Sequence, residues 1–275
     1  MSEGACTVVA MATSAELLDV DWAKRVPRPG SPTGLRDLDS LTGGISPGEL
    51  WVVIGTPGVG RTAFACQLAL SAATTADRSV AFIAGRERSD SILANMASAL
   101  GRVPAHHLLL RILTDDDRSR LGAASQQIAA ARLHVLASQD DAWQFEHQTS
   151  IPQFDHLIGG RALADVLVVD DVDLLVDRPL RQCLRELRIW CAQTGMALLL
   201  TAPDDDLMAA GRAVPDLRRE ADVLLRIARE DQFDRESLRT GEADLLLLAN
   251  HCGPTADMVV AFQGHYRRFV DPSER

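Results

Sequence analysis

The chain contains no run of about 18 or more apolar residues, which excludes a helix that crosses a membrane. Its first 22 residues lack the basic start and uninterrupted apolar core of a secretory signal, so a cytoplasmic location and no membrane partner are expected. The five cysteines, Cys6, Cys66, Cys183, Cys191 and Cys252, form no C-x-x-C pair. An odd, scattered set argues for reduced thiols and against a disulfide framework or a zinc site. Lysine is nearly absent, with Lys24 alone against many arginines, and acids outnumber bases to give a net charge of −10. A surface that holds nucleic acid by bulk positive charge is therefore excluded, although a local basic lining is not. No internal repeat and no low-complexity tract occur.

What is present is a core-forming chain, 275 residues long and 47% hydrophobic, enough for one large domain. Residues 1–30 form core poorly and end in the Pro-rich "RVPRPGSPTG", which reads as a tail or linker. Within it, "SAELLDVDWAKR" has the spacing of a short docking helix with Leu18 and Trp22 on one face. Residues 31–275 form the expected domain. From residue 50, apolar runs alternate with helical segments. Buried strands are predicted over 50–55, 79–85, 132–138, 164–171, 196–202, 221–228 and 242–250. Helices are predicted over 61–73, over 89–101 from a Ser or Asp cap, and over 178–195, ending at Gly195. The closing "ADMVVAFQGHYRRFV" reads as a hairpin turning near Gln263 and Gly264. Alternating strands and helices predict an α/β domain with a mainly parallel twisted sheet flanked by helices and a C-terminal antiparallel hairpin.

The segment "GTPGVGRT", residues 55–62, has the spacing of a phosphate-binding loop, G-x-x-x-x-G-K-S/T, with Arg61 in place of the lysine. Such a loop works because glycines let successive backbone N–H groups converge on phosphate oxygens at a helix N-terminus. Here Gly55, Thr56, Pro57, Gly58, Val59 and Gly60 stand between a predicted strand and a predicted helix, followed by Arg61 and Thr62. Thr62 is placed to reach a magnesium ion, and ATP with Mg2+ is the expected cofactor. Arg61 keeps the charge of lysine but not its shape: a planar fork cannot take the slot of a compact ammonium without displacing something. Binding survives such a change more easily than hydrolysis. A second element, "ADVLVVDDVDLL", is an apolar strand ending in Asp170, as expected of a carboxylate that supports the magnesium ion through water. Asp171 and Asp173 read as solvated loop acids or, for Asp171, as a catalytic base.

These motifs resemble the C-terminal, RecA-like P-loop motor domain of DnaB-type replicative helicases. "TGLRDLDSLTGGISPGEL" resembles that family's entry segment. Further matches run in order through "ILANMASALGRV", the Asp170 strand, "LRELRIWCAQTGMALLLT", "PDLRREADVLLRIAR" and "GPTADMVVAFQGHYRRFVD". The resemblance covers roughly residues 31–272, and no primase-interacting domain is expected in the residues ahead of it. It implies a RecA-like fold, a ring of usually six subunits, ATP at subunit interfaces, single-stranded DNA in a central channel, and replication or regulatory proteins as partners.

Several positions depart from the family's pattern. The family's catalytic glutamate falls on Arg86, with Glu87 one residue away, able to substitute only if the loop slips by one. Where a glutamine senses the terminal phosphate, this chain reads "TAPDDD", with Ala202 unable to hydrogen-bond and Asp204 and Asp205 inverting the local charge. Ala249 and His251 stand where a lysine and an arginine reach into the neighbour's site. A DNA-facing loop is compressed to "DLRREAD", leaving Arg212, Arg218 and Arg219 as candidate channel residues. Because these changes bear on one reaction, they favour a nucleotide-dependent assembly or regulatory module with impaired hydrolysis. Two alternatives stay open: an active ATP-driven helicase or translocase using Asp171 or Glu87 as base, and a structural interaction protein without nucleotide.

Overall fold

The computed structural model describes residues 30–138, 164–175, 180–204, 213–234 and 236–274. The expected docking helix near Leu18 and Trp22, and with it Arg212 and Asp205, lies outside the described residues.

Among the described residues, nine strands form one sheet in the order β3-β2-β4-β5-β1-β6-β7-β8-β9. They are β1 (Leu50–Gly55), β2 (Val80–Ala84), β3 (Leu133–Ala137), β4 (Val166–Asp170), β5 (Ala197–Pro203), β6 (Val223–Ala228), β7 (Glu242–Asn250), β8 (Ala256–Gln263) and β9 (Arg268–Val270). From β3 to β6 all neighbours are parallel, and β7, β8 and β9 add antiparallel pairs at one edge. The apolar runs set this arrangement. Every residue of β1, β2 and β4 is buried, as a parallel strand covered on both faces requires.

The covering helices are α1 (Arg36–Thr42), α2 (Arg61–Thr74), α3 (Ser89–Gly101), α4 (Ala105–Leu110), α5 (Asp115–Ala130), α6 (Leu180–Thr194) and α7 (Ala213–Glu220). On one face Trp51, Val53, Phe82 and Val168 pack with Phe64 and Leu68 of α2 and Ile92 and Met96 of α3. On the other, Val52, Ile83, Leu167 and Leu200 pack with Leu184, Leu187 and Cys191 of α6 and Leu217 of α7. Full burial of each large side chain contributes about 1.5–3 kcal/mol. Cys66, Cys183 and Cys191 lie buried in this core outside any disulfide, and burial pushes the Cys191 thiol up to about 12.

The expected helix over 89–101 forms with those bounds, but its N-cap is Arg88 and no side chain caps it. The segment 216–222, read as a shortened loop, instead contains the end of α7, so Arg218 and Arg219 stand exposed in a helical last turn.

The two ends of the domain are tied by one carboxylate. The N-cap of α1, Leu35, has no capping side chain. Asp271, buried just after β9, accepts the Arg36 backbone N–H at 3.2 Å and the Arg36 Nε at 2.8 Å. It acts as a helix cap from 235 residues away. Asp271→Ala is expected to lower unfolding free energy by about 1–2 kcal/mol, and Asp271→Asn by less, read from urea denaturation midpoints.

Candidate nucleotide site

Strand β1 delivers Gly55 to the C-terminal edge of the sheet, and residues 56–60 turn the chain into α2. Gly58 and Gly60 have φ of 84° and 115°, where a side chain is strained. At Gly60 the space is also taken: a Cβ would lie 2.8 Å from the Phe269 ring. Val59 is fully buried and anchors the loop in the core. The loop is held from outside by Gln232, whose Nε2 donates to the Pro57 carbonyl and whose Oε1 accepts from the Thr56 hydroxyl at 3.3 Å.

No side chain caps α2 and no acid stands in its first turn. Its amino end therefore presents backbone donors and the positive end of the helix dipole, the chemistry that suits phosphate. A cleft of about 400 Å³ opens there, lined by Pro57, Gly58, Gly60, Arg61, Thr62, Ala63, Arg86, Glu87, Asp171, Phe262, Gly264 and Arg267.

Thr62 and Asp170, 108 residues apart, meet at this edge, with the Thr62 hydroxyl donating to Asp170 Oδ2 at 2.8 Å. The other oxygen of Asp170 accepts from the Thr201 hydroxyl at 2.6 Å. Burial, reinforced by the charge of the adjacent Asp171, pushes the Asp170 carboxyl up to about 6, against the opposing hydrogen bonds from Thr201 and Thr62 and the charge of Arg61. A buried carboxylate beside a hydroxyl is a donor set that fits magnesium, a hard cation.

Arg61 lines the cleft, but its guanidinium turns inward. Its guanidinium is buried, donating to the Gly55 carbonyl and, at 2.7 Å, to Asp171 Oδ1. The second oxygen of Asp171 accepts from Arg86 Nε at 3.1 Å. Asp171 has φ of 51°, a left-handed conformation uncommon for a residue with a side chain, and its N–H donates to Thr201 Oγ1 at 2.9 Å. Thr201 thus holds both aspartates. Glu87 is half-buried on the cleft wall and accepts from Asn95 Nδ2 at 3.1 Å.

The remaining positions separate. Ala202 is buried in β5, with its backbone opposite Ile54. Asp204 does not invert the charge of its surroundings, because its carboxylate pairs with Arg226 Nε at 2.9 Å and so is neutralised. Ala249 pairs with Leu224, and the His251 N–H donates to the Asp222 carbonyl. That places both at the end of the sheet opposite this chain's own phosphate loop, since β7 runs antiparallel to β6. Sequence reasoning missed Thr201, Phe262 and Arg267. Thr201 carries a signal, one hydroxyl in a leucine run, whereas Phe262 and Arg267 reach the cleft only through the register of the C-terminal hairpin.

With this geometry in view, the comparisons with known proteins are consistent. Residues 30–187 match the family model described as DnaB-like helicase C-terminal domain. The replicative DNA helicase DnaB of Leifsonia xyli is 26% identical over 262 residues, covering 88% of this chain and 56% of that protein. The replicative DNA helicase DnaC of Bacillus subtilis is 24% identical over 265 residues, covering 90% of this chain and 57% of its own length. The chain thus spans a little over half the length of these curated relatives. Among solved structures, an ATPase domain superposes with a TM-score of 0.78 at 17% identity, over 95% of this chain and 99% of that one. A DnaB-like replicative helicase, solved to describe its interactions with primase, gives 0.77 at 17% identity over 94% of this chain and 66% of its own. The fold is that of a RecA-like ATPase domain, and the chain belongs to the DnaB-like helicase C-terminal domain family.

Proposed function

We propose that this chain binds ATP or ADP with Mg2+, hydrolyses ATP slowly or not at all, and serves in DNA replication as a nucleotide-dependent assembly or regulatory module. One observation carries the reading: both carboxylate oxygens of Asp171 are held by guanidiniums, while the Thr62–Asp170 pair remains in place. The amino end of α2 would hold the phosphates, and Thr62 with Asp170 would hold the magnesium ion. The ion's contribution when bound is to neutralise charge on the phosphate oxygens. A general base needs a free lone pair within hydrogen-bond reach of the attacking water. Asp171, bonded to Arg61 and Arg86, is poorly disposed to supply one, and Arg86 itself is cationic where the family's glutamate is expected.

In this reading the chain assembles with copies of itself, as the family's ring implies. Ala249 and His251 would face a neighbour's cleft, where neither side chain offers the permanently charged fork of an arginine. Single-stranded DNA and replication or regulatory proteins are the proposed partners.

A second reading is supported by the position of Glu87 on the same cleft wall as Thr62. There Glu87 is the base of a working helicase or translocase. Steady-state hydrolysis of magnesium ATP, with and without single-stranded DNA, separates the two, alongside direct nucleotide binding. The expected result is binding below millimolar concentration and turnover under about 0.1 per second, far beneath ordinary enzyme rates. DNA-stimulated turnover above that value that Glu87→Gln abolishes would establish the second reading. No binding at millimolar ATP would leave an interaction protein without nucleotide.

A further inference from the structure

We infer that Arg86 is a phosphate-binding residue, the one that distinguishes a nucleoside triphosphate from a diphosphate in this cleft. The inference rests on the nucleotide-binding reading above and names what the substituted position does there.

Strand β2 lies beside β4, with Ala84 opposite Asp170, and the Gly85 N–H donates to the Asp170 carbonyl at 2.9 Å. This approach is possible only because residue 85 has no side chain: a Cβ there would lie 2.6 Å from the Asp171 carbonyl oxygen. Arg86 is thereby set across the mouth of the cleft, on the strand three places along the sheet from β1. Arg61 and Arg86 bind the two oxygens of one carboxylate, Asp171, so Arg86 stands beside the start of α2, where the outer end of a phosphate chain seated at the loop would lie.

The side chain is suited to that phosphate. It is 66% exposed, and among the described residues only its Nε is engaged, by Asp171. A guanidinium has five N–H donors in a fixed fork, so the terminal nitrogens are left to meet phosphate oxygens two at a time. Asp171 acts as a positioning residue, fixing the guanidinium before any ligand arrives. The other exposed cation of the cleft, Arg267, has no carboxylate holding it among the described residues and stands on a wall shared with a neighbouring groove.

The test is calorimetric titration of the full chain with ATP and with ADP, each in magnesium and in EDTA, for the wild type, Arg86→Ala and Arg86→Lys. Loss of a charge-assisted pair is expected to weaken ATP binding about tenfold or more in Arg86→Ala while changing ADP binding less than about twofold. Arg86→Lys, which keeps the charge without the fork, is expected to fall between. Equal losses for ATP and ADP would overturn the inference, since they would mean that Arg86 acts only by supporting Asp171. No loss for either nucleotide would overturn it as well, with nucleotide binding itself intact. A wild type that binds neither nucleotide would remove the nucleotide-binding reading and this inference together. Matched thermal melting of the variants keeps a folding defect from imitating any of these results.

Discussion

Arg61→Ala is expected to destabilise the nucleotide-free protein by about 3 kcal/mol, an effect larger than that of any exposed substitution. The reason lies in where the side chain goes. Arg61 and Asp171 are both almost fully buried, with side-chain exposures of 9% and 7%, and they meet at 2.7 Å. Removing the guanidinium leaves a buried carboxylate with Arg86 alone and takes away the donor to the Gly55 carbonyl. Asp171→Ala is expected to cost a similar amount, because it strands Arg61 in the interior. Combining Arg61→Met with Asp171→Leu should cost much less than the sum of the single changes, since neither partner of the pair is then left buried without the other. Arg61→Lys is expected to be intermediate: an ammonium has the charge but cannot serve the carbonyl and the carboxylate as a planar fork does. Urea denaturation of the wild type and the four variants without nucleotide measures this. An unchanged midpoint for Arg61→Ala would mean that the guanidinium is not held inside. The remaining folded Arg61→Ala protein is also expected to lose nucleotide binding, which a titration at low temperature reads separately.

Asp170→Asn is expected to do the opposite, raising stability near neutral pH by about 2 kcal/mol while removing the response to magnesium. Burial and the adjacent Asp171 raise the Asp170 carboxyl from 3.8 to about 6 in the folded chain. A group with a raised folded-state value holds its proton more firmly folded than unfolded. Its stabilising contribution is therefore fully present below about 4 and is lost as pH rises through about 6. A displacement of that size corresponds to about 3 kcal/mol, so at pH 7 the ionised carboxylate is a standing cost. The hydrogen bonds from Thr201 and Thr62 and the charge of Arg61 already oppose the rise, and the value of about 6 is what remains after them. Asparagine never ionises, and it can still bond both hydroxyls because each can turn to donate or accept. The wild type minus Asp170→Asn difference in unfolding free energy should fall between pH 4 and pH 6.5 and then level off, which cancels the other carboxylates titrating in that range. Saturating magnesium nucleotide should stabilise the wild type and leave Asp170→Asn nearly unchanged. A difference that is flat with pH would show that Asp170 is already ionised at low pH.

Together these two expectations describe a site that tolerates an ionised buried acid it does not need for folding. A fold selected for stability alone would place an apolar residue at the end of β4, as it does along the rest of that strand. The cost is intelligible if a cation is to be held there. The same reasoning fits the proposed reading, in which nucleotide is bound and hydrolysed slowly or not at all.

The central strands were legible because each is an apolar run bounded by polar residues. Predicted and observed limits differ by two residues or fewer, for instance 79–85 against Val80–Ala84 and 164–171 against Val166–Asp170. The phosphate loop was legible for a similar local reason, glycines at fixed spacing between a strand and a helix. Helices α1, α4, α5 and α7 were not named in advance. Helix α5 is polar over most of its length and buries only Asp117 and Ala124, so no apolar stripe marks it, although Thr114 and Asp117 form a capping box at its start. Helix α7 carries a proline in its first turn and sits where the family pattern reads as a loop.

By itself, then, the amino-acid sequence determined the α/β alternation, the glycine-rich turn between β1 and α2, the candidate magnesium pair and the resemblance that the family match bears out. Spacing along the chain and hydrophobic period carry that information, because strands and loops are local objects. Only the tertiary structure decided what Arg61, Arg86 and Asp171 do to one another. Their contacts depend on parallel register between β2 and β4 and on a left-handed turn at Asp171, which bring together residues 85 and 110 positions apart. An arginine in a phosphate loop reads in sequence as a cation offered to a ligand. In the folded chain it is first the partner of a buried acid, because burying that acid unpaired would cost more than leaving the cleft short of one charge.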